Sequence, residues 1–364
     1  MKIDRVHFYV EDAKAWRDWF VHHLGFQAVA GGISSFDTCT EVVKCGSVCF
    51  MLSSPLLPTS PVAEFLRQHP PGVADVAFCV EDVEKAIALA QIHGAEVIQP
   101  IQQHQQGEES VKSGKIAAWG SLSHTLVERK GGEGERGRGG ESGSGTNSSF
   151  SHTRRPIPPS SSITAIDHIV LNVNAGDLER AVAWYEKILH FQPQQMFKIK
   201  TDRSGLHSQV MVSRNGDVQL PINQPASRNS QIQEFLNVNR GPGIQHIALR
   251  TPNIVSAIAL IRATGLSLLP VPKTYYTQLQ QRPGFPLSPL ELEAIAQQEI
   301  LVDWKEDIQK AVLLQIFTQP IFEQPTFFFE FIERRFQAQG FGEGNFRALF
   351  EAIESEQIKR GSLQ

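Results

Sequence analysis

The sequence Ile166-Asp-His-Ile-Val-Leu171 indicates how the fold is organised, because a similar stretch occurs near the start of the chain. This stretch is Ile3-Asp-Arg-Val-His-Phe8. Both stretches are rich in apolar and β-branched residues, a composition typical of buried strands. A strand-like stretch that recurs in this way predicts a chain built from two related halves.

Two further pairs of matching stretches extend the repeat. Gly72-Val-Ala-Asp-Val-Ala77 corresponds to Gly243-Ile-Gln-His-Ile-Ala248, and a Val- or Ile-rich helical pattern follows each of them. Near the end of each half, Thr125-Leu-Val-Glu-Arg129 corresponds to Glu330-Phe-Ile-Glu-Arg334. We therefore expect an α+β fold in which each half contains two βαβββ modules.

Length and composition favour a globular protein of two domains. A chain of 364 residues is longer than a single hydrophobic core usually accommodates. Charged residues make up 20% of the sequence, give a net charge of −4 and form no basic stripe that would bind nucleic acid. Residues 130–162 are rich in Gly, Ser, Arg and Pro, so they cannot bury enough apolar area to offset their ordering entropy. We predict a first domain at 1–129, a flexible linker at 130–162 and a second domain at 163–364.

Other features of the sequence bear on localisation. No apolar run reaches eighteen residues and the N-terminus lacks the apolar region of a secretion signal, so we expect no membrane partner. None of the four cysteines belongs to a CxxC pair, which favours buried reduced thiols over a zinc site or disulfides. We therefore expect a cytoplasmic protein.

Three of the repeated stretches carry a potential metal ligand, but only in the second half. These residues are His168, His246 and Glu330, whereas the corresponding residues of the first half are Arg5, Asp75 and Thr125. Two histidines and one carboxylate are the ligand set of non-heme Fe(II) oxygenases, and they leave open positions that suit a 2-oxo acid and O₂. Zinc with an activated water is the alternative on the same ligands.

Aromatic and amide side chains accompany these ligands. Because side chains alternate between the two faces of a strand, Gln315 shares a face with Phe317, and Phe328 shares one with Glu330. At the C-terminus a glycine-rich segment precedes an apolar stripe at helical spacing, formed by Phe346, Leu349, Phe350 and Ile353. This helix either closes over the cavity as a lid or only packs against the body.

The second half resembles the 4-hydroxyphenylpyruvate dioxygenase family of the vicinal-oxygen-chelate superfamily. The matching stretches, within residues 166–361, are DHIVLNV, QLPINQP, SQIQEFL, GPGIQHIALRT, RPGFPLSPLELEAIAQQEILVDW, LLQIFTQP, PTFFFEFIERR and GFGEGNFRALFEAIESEQIKRG. The resemblance implies two vicinal-oxygen-chelate domains, each an open barrel. The second would be catalytic and the first a degenerate domain without metal.

The resemblance also implies a reaction and roles for individual residues. The expected enzyme binds one Fe(II) per chain through the three ligands, converts 4-hydroxyphenylpyruvate and O₂ to homogentisate and CO₂, and forms a homo-oligomer. Gln315 and Phe346 would act in catalysis. The residues expected to bind substrate are Ser208, Asn223, Gln231, Gln315, Phe317, Phe328, Asn345, Phe346 and Phe350.

Other interpretations remain open at the level of sequence. Ser208 could face solvent, Asn223 could bond a turn, and Gln231 could lie on an exposed helix face. The nearest functional alternative is 4-hydroxymandelate synthase, which uses the same substrate and iron. A ring-cleaving extradiol dioxygenase and a binding module without turnover are more distant alternatives.

Overall fold

A computed structural model describes six stretches of the chain. They are residues 1–29, 35–106, 109–130, 163–201, 204–305 and 311–361, without the side chains of Gln106, Phe346, Arg347 and Leu349. All of the predicted linker except Lys130 lies outside the described residues. The linker and the domain boundaries drawn from it therefore stay predictions.

The helices and strands follow the predicted repeat. The front half contains β1 (Lys2–Tyr9), α1 (Ala13–Leu24), β2 (Gln27–Ala28), β3 (Thr38–Cys45), β4 (Val48–Pro55), α2 (Pro61–Gln68), β5 (Gly72–Cys79), α3 (Val83–Ile92), β6 (Val97–Gln106), β7 (Glu109–Ala117) and β8 (Ser123–Lys130). The rear half contains β9 (Ala165–Asn172), α4 (Leu178–Leu189), β10 (Gln192–Lys200), β11 (Gly205–Val212), β12 (Gln219–Pro225), α5 (Gln231–Asn239), β13 (Gly243–Arg250), α6 (Ile254–Ala263), α7 (Lys273–Leu279), α8 (Pro289–Gln297), β14 (Leu301–Trp304), β15 (Val312–Phe317), β16 (Phe328–Arg335) and α9 (Phe346–Arg360).

The described strands form two sheets with the same topology. The front sheet has the order β2-β3-β4-β1-β5-β8-β7-β6, and the rear sheet has the order β10-β11-β12-β9-β13-β16-β15-β14. In each sheet two antiparallel central strands are flanked by parallel neighbours, so that β9 and β13 lie between β12 and β16. This arrangement confirms the expected α+β fold of two domains, each a curled half barrel, with a C-terminal helix.

Local sequence explains where the helix of a module begins. Asp12, Asp82 and Asn253 precede α1, α3 and α6, and each side chain accepts hydrogen bonds from backbone N–H groups of the first helical turn. The first of these helices ends at Gly25, whose φ of 68° lies in the left-handed region that glycine adopts without steric cost. Each of these three helices therefore begins four residues after the last residue of its preceding strand.

The two halves share a core on the convex side of the rear sheet. Phe327 packs edge-on against Phe8, with ring centroids 5.2 Å apart, and Phe329 stacks on Phe50 at 5.9 Å. These side chains point away from the face that carries Glu330, because neighbouring residues of a strand alternate. The front half therefore supports the back of the strand that carries a predicted ligand.

The C-terminal helix α9 lies over the concave side of the rear sheet. Phe350 packs in a cluster with Leu206, Phe235 and Leu236, and Ile353 packs against the cluster that contains Phe317 and Phe328. Glu354 accepts hydrogen bonds from Thr201 and Ser204, which connect β10 to β11. The helix encloses the space in front of the central strands.

Candidate metal centre and active-site cavity

The three predicted metal ligands lie on neighbouring strands. His168 is on β9, His246 on β13 and Glu330 on β16, and the register pairs Ala248 with both His168 and Glu330. His246 pairs in turn with Val170 and Phe328, so all three ligands point to the concave face of one half barrel.

The ligand atoms of this triad converge. One atom from each side chain lies within 4.8 Å of the other two, so the three residues could hold one metal ion. Oε2 of Glu330 is 3.2 Å from Nε2 of His168 and 3.6 Å from Nε2 of His246. All three residues are buried, with 2–9% of their surface exposed.

The charges of the triad are strongly coupled. Burial alone would lower the pKa of His168, but the carboxylates of Glu330 and Asp167 raise it to about 9. Burial would likewise raise the pKa of Glu330, but the two histidines lower it to about 2. The pKa of His246 is lowered by burial. A protonated His168 therefore balances Glu330 when no cation is bound.

Hydrogen bonds outside the triad orient both imidazole rings. Nδ1 of His168 lies 3.1 Å from Oδ1 of Asp167, and Nδ1 of His246 lies 3.3 Å from Oε1 of Gln245. Both partners are acceptors, so Nδ1 donates in each ring and Nε2 is left to bind a metal. Although burial raises the pKa of Asp167, hydrogen bonds from Arg334 and His168 hold it well below its ordinary range.

Gln315 fixes the carboxylate ligand. Its Nε2 donates to Oε1 of Glu330 at 2.8 Å and to the carbonyl of Phe341 at 3.0 Å. Its Oε1 accepts from Asn345, whose Oδ1 accepts from the hydroxyl of Tyr275 at 2.8 Å. This chain of bonds links the metal ligand to the segment just before α9 and leaves Oε2 of Glu330 facing the histidines.

A small cavity lies in front of the three candidate ligands. Its volume is about 90 Å³, below the range of roughly 300–1,000 Å³ for typical ligand sites, so entry of a ligand requires part of its wall to move. Uncharged side chains dominate its lining apart from the triad. The predicted residues in the wall are Ser208, Asn223, Gln231, Gln315, Phe317, Phe328, Asn345 and Phe350.

The polar wall residues are buried, which excludes two of the alternative interpretations. Ser208 and Gln231 are 5% and 7% exposed, so neither faces solvent. Asn223 lies opposite Ser208 in the β11–β12 register, and its Nδ2 is 3.4 Å from Asn172. Oε1 of Gln231 is a buried acceptor with no hydrogen-bond partner among the described residues, which is typical of a group that bonds to a bound molecule.

Aromatic rings form the remaining wall. Phe328 stacks on His246 with centroids 4.7 Å apart and packs edge-on against Phe317 at 6.2 Å. Phe350 reaches the cavity from α9 and is 2% exposed. The side chain of Phe346 lies outside the described residues, so its expected contact with substrate stays a prediction.

The structure adds wall residues that the sequence did not single out. The ring of Phe341 packs edge-on against His168 with centroids 5.2 Å apart, and Phe197 lies 6.3 Å from Phe341. Gln245 also lines the cavity, although strand alternation alone would place it on the face opposite to its neighbour His246. Only the tertiary contact of the 340–342 turn with β9 could have identified Phe341.

The front half keeps the geometry of the site without its ligands. Asp75 pairs with Ser123 in the register, and its carboxylate accepts hydrogen bonds from Ser123 at 2.7 Å and Thr125 at 2.9 Å. Arg5 donates instead to Asp4. Among the described residues, the only group of three or more potential ligand residues able to hold a metal is the triad of the rear half.

Known proteins share both the sequence and the fold of this chain. Models of the Glyoxalase/Bleomycin resistance protein/Dioxygenase superfamily match residues 2–110 and 167–281. A 4-hydroxyphenylpyruvate dioxygenase of Coccidioides posadasii is 38% identical, covering 99% of this chain and 94% of that protein. One from Caenorhabditis briggsae is 37% identical, with 99% and 93% covered. A solved mutant 4-hydroxymandelate synthase from Streptomyces coelicolor has a TM-score of 0.82 at 24% identity, covering 98% of both chains.

The two half barrels and the buried His-His-Glu group define a two-domain member of this superfamily with a candidate metal site. Within the superfamily, the chain belongs to the 4-hydroxyphenylpyruvate dioxygenase family and is an oxidoreductase of this type. None of the helices in the described stretches is both long enough and apolar enough to cross a membrane.

Proposed function

We propose that this protein is an Fe(II)-dependent dioxygenase that converts 4-hydroxyphenylpyruvate and O₂ to homogentisate and CO₂. The observation that carries the proposal is the convergence of His168, His246 and Glu330 in the wall of a cavity lined by aromatic rings and amides. The similarity of nearly the whole chain to enzymes named for this substrate supports the same function.

The donor set fits Fe(II). Two neutral imidazoles and one carboxylate leave a divalent cation with a net charge of +1, which a 2-oxo acid anion balances, and they occupy only one side of its coordination sphere. When bound, the iron would supply O₂ activation and the oxidative decarboxylation of the 2-oxo acid. Gln315 keeps Oε1 of Glu330 occupied, so that Oε2 remains directed at the metal position.

The protein's own side chains would orient the substrate. Gln231 offers an unpaired buried acceptor that suits the phenol O–H, while Ser208 and Asn223 add a hydroxyl and an amide on the adjacent wall. These groups recognise a phenol and a carbonyl by hydrogen bonds and place no further charge in the cavity. Amide and hydroxyl groups also resist oxidation, unlike a thiol or thioether beside an oxidising centre.

Aromatic side chains would confine the ring and exclude water. Phe317, Phe328, Phe341 and Phe350 surround the space in front of the triad. With bulk water excluded, the reactive centre can act only on the substrate. The atoms balance, because one oxygen of O₂ enters the new acetate carboxylate and the other enters the ring hydroxyl, while the original carboxylate leaves as CO₂.

Product identification tests this proposal. Chain reconstituted with Fe(II) and supplied with 4-hydroxyphenylpyruvate and O₂ should release CO₂ and homogentisate. Glu330→Ala should keep the fold but lose turnover and bind Fe(II) far more weakly. Formation of 4-hydroxymandelate would instead support the synthase activity, whose solved representative shares this fold. Absence of turnover in iron-loaded chain would contradict both activities.

Metal stoichiometry separates the two halves. We infer one Fe(II) per chain, because in the front half Arg5 stands in place of His168, and Asp75 accepts hydrogen bonds from Ser123 and Thr125. Asp75→Asn should therefore leave iron content unchanged, and loss of a second equivalent would show a front-half site. We also infer a cytoplasmic homo-oligomer, because none of the four cysteines belongs to a CxxC pair and because the family resemblance implies an oligomer.

A further inference from the structure

We propose that Asp167 is a positioning residue that holds His168 in the orientation needed to bind the metal, and that Arg334 couples this orientation to the cavity wall. The inference rests on the metal-dependent function proposed above. It assigns a role to an ion-pair cluster that lies behind the ligands, outside the cavity.

The side chain of Asp167 is fully buried and surrounded by donors. Arg334 donates from Nη2 to Oδ1 at 2.7 Å and from Nε to Oδ2 at 2.8 Å. Arg250 donates to Oδ2 from Nε at 3.0 Å and from Nη2 at 2.7 Å. The fifth contact, at 3.1 Å, comes from Nδ1 of His168.

These contacts join the strands that carry all three ligands. Asp167 and His168 belong to β9, Arg250 to β13 and Arg334 to β16. Two arginines that each donate two hydrogen bonds to one carboxylate prevent it from rotating, because the N–H groups of each guanidinium lie in a fixed plane. The oxygen that faces Nδ1 therefore has a set position relative to the sheet.

A fixed acceptor at Nδ1 determines what the other ring nitrogen can do. A carboxylate only accepts, so the proton of a neutral His168 stays on Nδ1 and the lone pair of Nε2 points toward Oε2 of Glu330, 3.2 Å away. Such carboxylate–histidine pairs orient the ring and raise its basicity as a ligand. His246 has only the amide oxygen of Gln245 in this position.

Arg334 extends the cluster to the cavity wall. Its Nη1 donates to the carbonyls of Ala338 at 3.0 Å and Gly340 at 2.9 Å. The next residue is Phe341, whose ring packs against His168 and whose carbonyl accepts from Gln315. The guanidinium of Arg334 thus holds two groups in place. One is the turn before α9, and the other is the carboxylate of Asp167 behind His168.

The front half contains a matched cluster that lacks the histidine. Asp4 accepts hydrogen bonds from Arg129 at 2.9 and 3.3 Å and from Cys79 at 3.3 Å, in the places that Arg334 and Arg250 occupy around Asp167. The residue that follows Asp4 is Arg5, which donates to it. An aspartate–arginine pair without a histidine therefore stabilises the fold of the front half. Only the rear half adds a hydrogen bond from this aspartate to a candidate metal ligand.

Metal binding by two matched variants tests the assignment. Co(II) titrated into metal-free protein gives an affinity and a visible absorption spectrum that do not depend on turnover. Asp167→Asn should weaken Co(II) binding by roughly 10–100-fold and alter the spectrum. Asp4→Asn removes the equivalent carboxylate and should leave affinity and spectrum unchanged.

A second variant covers the case in which Asp167→Asn does not fold. Asp167→Glu keeps the charge that both arginines need but moves the oxygen away from Nδ1, so Co(II) binding should still weaken by about tenfold. Wild-type affinity in a folded Asp167 variant, or an equal loss in Asp4→Asn, would overturn the positioning role. If the unaltered protein bound no Co(II), the metal-dependent function would fail, and this inference with it.

Discussion

At the scale of single residues, metal binding to the buried triad would require the loss of a proton. Without metal, His168 carries a proton up to pH about 9 because Glu330 and Asp167 oppose the effect of burial. This proton stabilises the folded metal-free protein below pH 6.5, and its contribution is lost as the pH rises through about 9. A cation that binds Nε2 must displace it.

Metal affinity should therefore depend on pH. Because binding releases the proton of His168, we expect Co(II) affinity to rise roughly tenfold per pH unit between pH 7 and 9 and to level off above it. The lowered pKa of His246 means that only one proton is exchanged in this range. Proton release measured in a weak buffer during Co(II) titration checks the expectation, and pH-independent affinity would contradict it.

A second residue-scale expectation concerns the turn beside Gln315. Gly342 has a φ of +77°, and a Cβ there would lie 1.8 Å from Oε1 of Gln315. Gly342→Ala must push the amide away from Glu330, so we expect kcat/KM to fall by roughly 100-fold. Gly216→Ala is the control, because its φ of +79° carries similar backbone strain with nothing within 4 Å. Similar losses in both variants would show that backbone strain alone is responsible.

At the scale of single elements, strand β16 serves two surfaces. Its sequence alternates so that Phe328 and Glu330 face the cavity, while Phe329 and Phe331 lie in the core shared with the front half. Because the side-chain period of a strand is two, a register slip by one residue would exchange these faces. The metal ligand is thus held in place by the packing on the opposite side of its own strand.

Helix α9 contributes Phe350 and Ile353 to the cavity wall, and its attachment can be tested. Glu354 is 6% exposed and accepts hydrogen bonds from Thr201 at 2.6 Å and Ser204 at 2.5 Å. Glu354→Ala should weaken the attachment of α9 to the β10–β11 connection by about 2–3 kcal/mol. We therefore expect faster hydrogen exchange in α9 and a KM that is several-fold higher.

Lys359→Ala is the matched control for this change. The ion pair of Lys359 with Glu356 stays within the helix, so its loss leaves the attachment to β10 and β11 intact. If the two variants showed the same hydrogen exchange in α9 and the same KM, the contact of Glu354 would have no role in holding α9 over the cavity.

At the scale of the whole molecule, the front half acts as a scaffold. Phe50 is fully buried and packs on Phe329, one residue before the ligand Glu330. Phe50→Ala should lower the free energy of unfolding by about 3–5 kcal/mol, because it leaves a cavity between the halves. Phe36→Ala, at a residue 84% exposed, should change it by less than about 0.5 kcal/mol. Chemical denaturation of both variants provides the measurement, and equal stabilities would contradict a shared core.

Much of this organisation was predictable from sequence. The repeat, the α+β modules and the ligands lost from the front half all follow from local patterns of apolar residues. The same patterns placed Gln315, Phe317 and Phe328 on the cavity face, where they lie. The burial of Ser208 and Gln231 could not be predicted in this way, because it depends on α9, which packs on β11 and α5 through Phe350 and is distant from both in the chain.

The three candidate ligands, and the face of each strand that they occupy, follow from local sequence, since alternation along a strand is a local property. The surroundings of these ligands depend instead on how the chain folds. The contacts of Asp167 with Arg250 and Arg334 join residues 83 and 167 positions apart, and the turn at Phe341 meets His168 across the sheet. Sheet curvature and strand order create such contacts, and these depend on the packing of the whole chain.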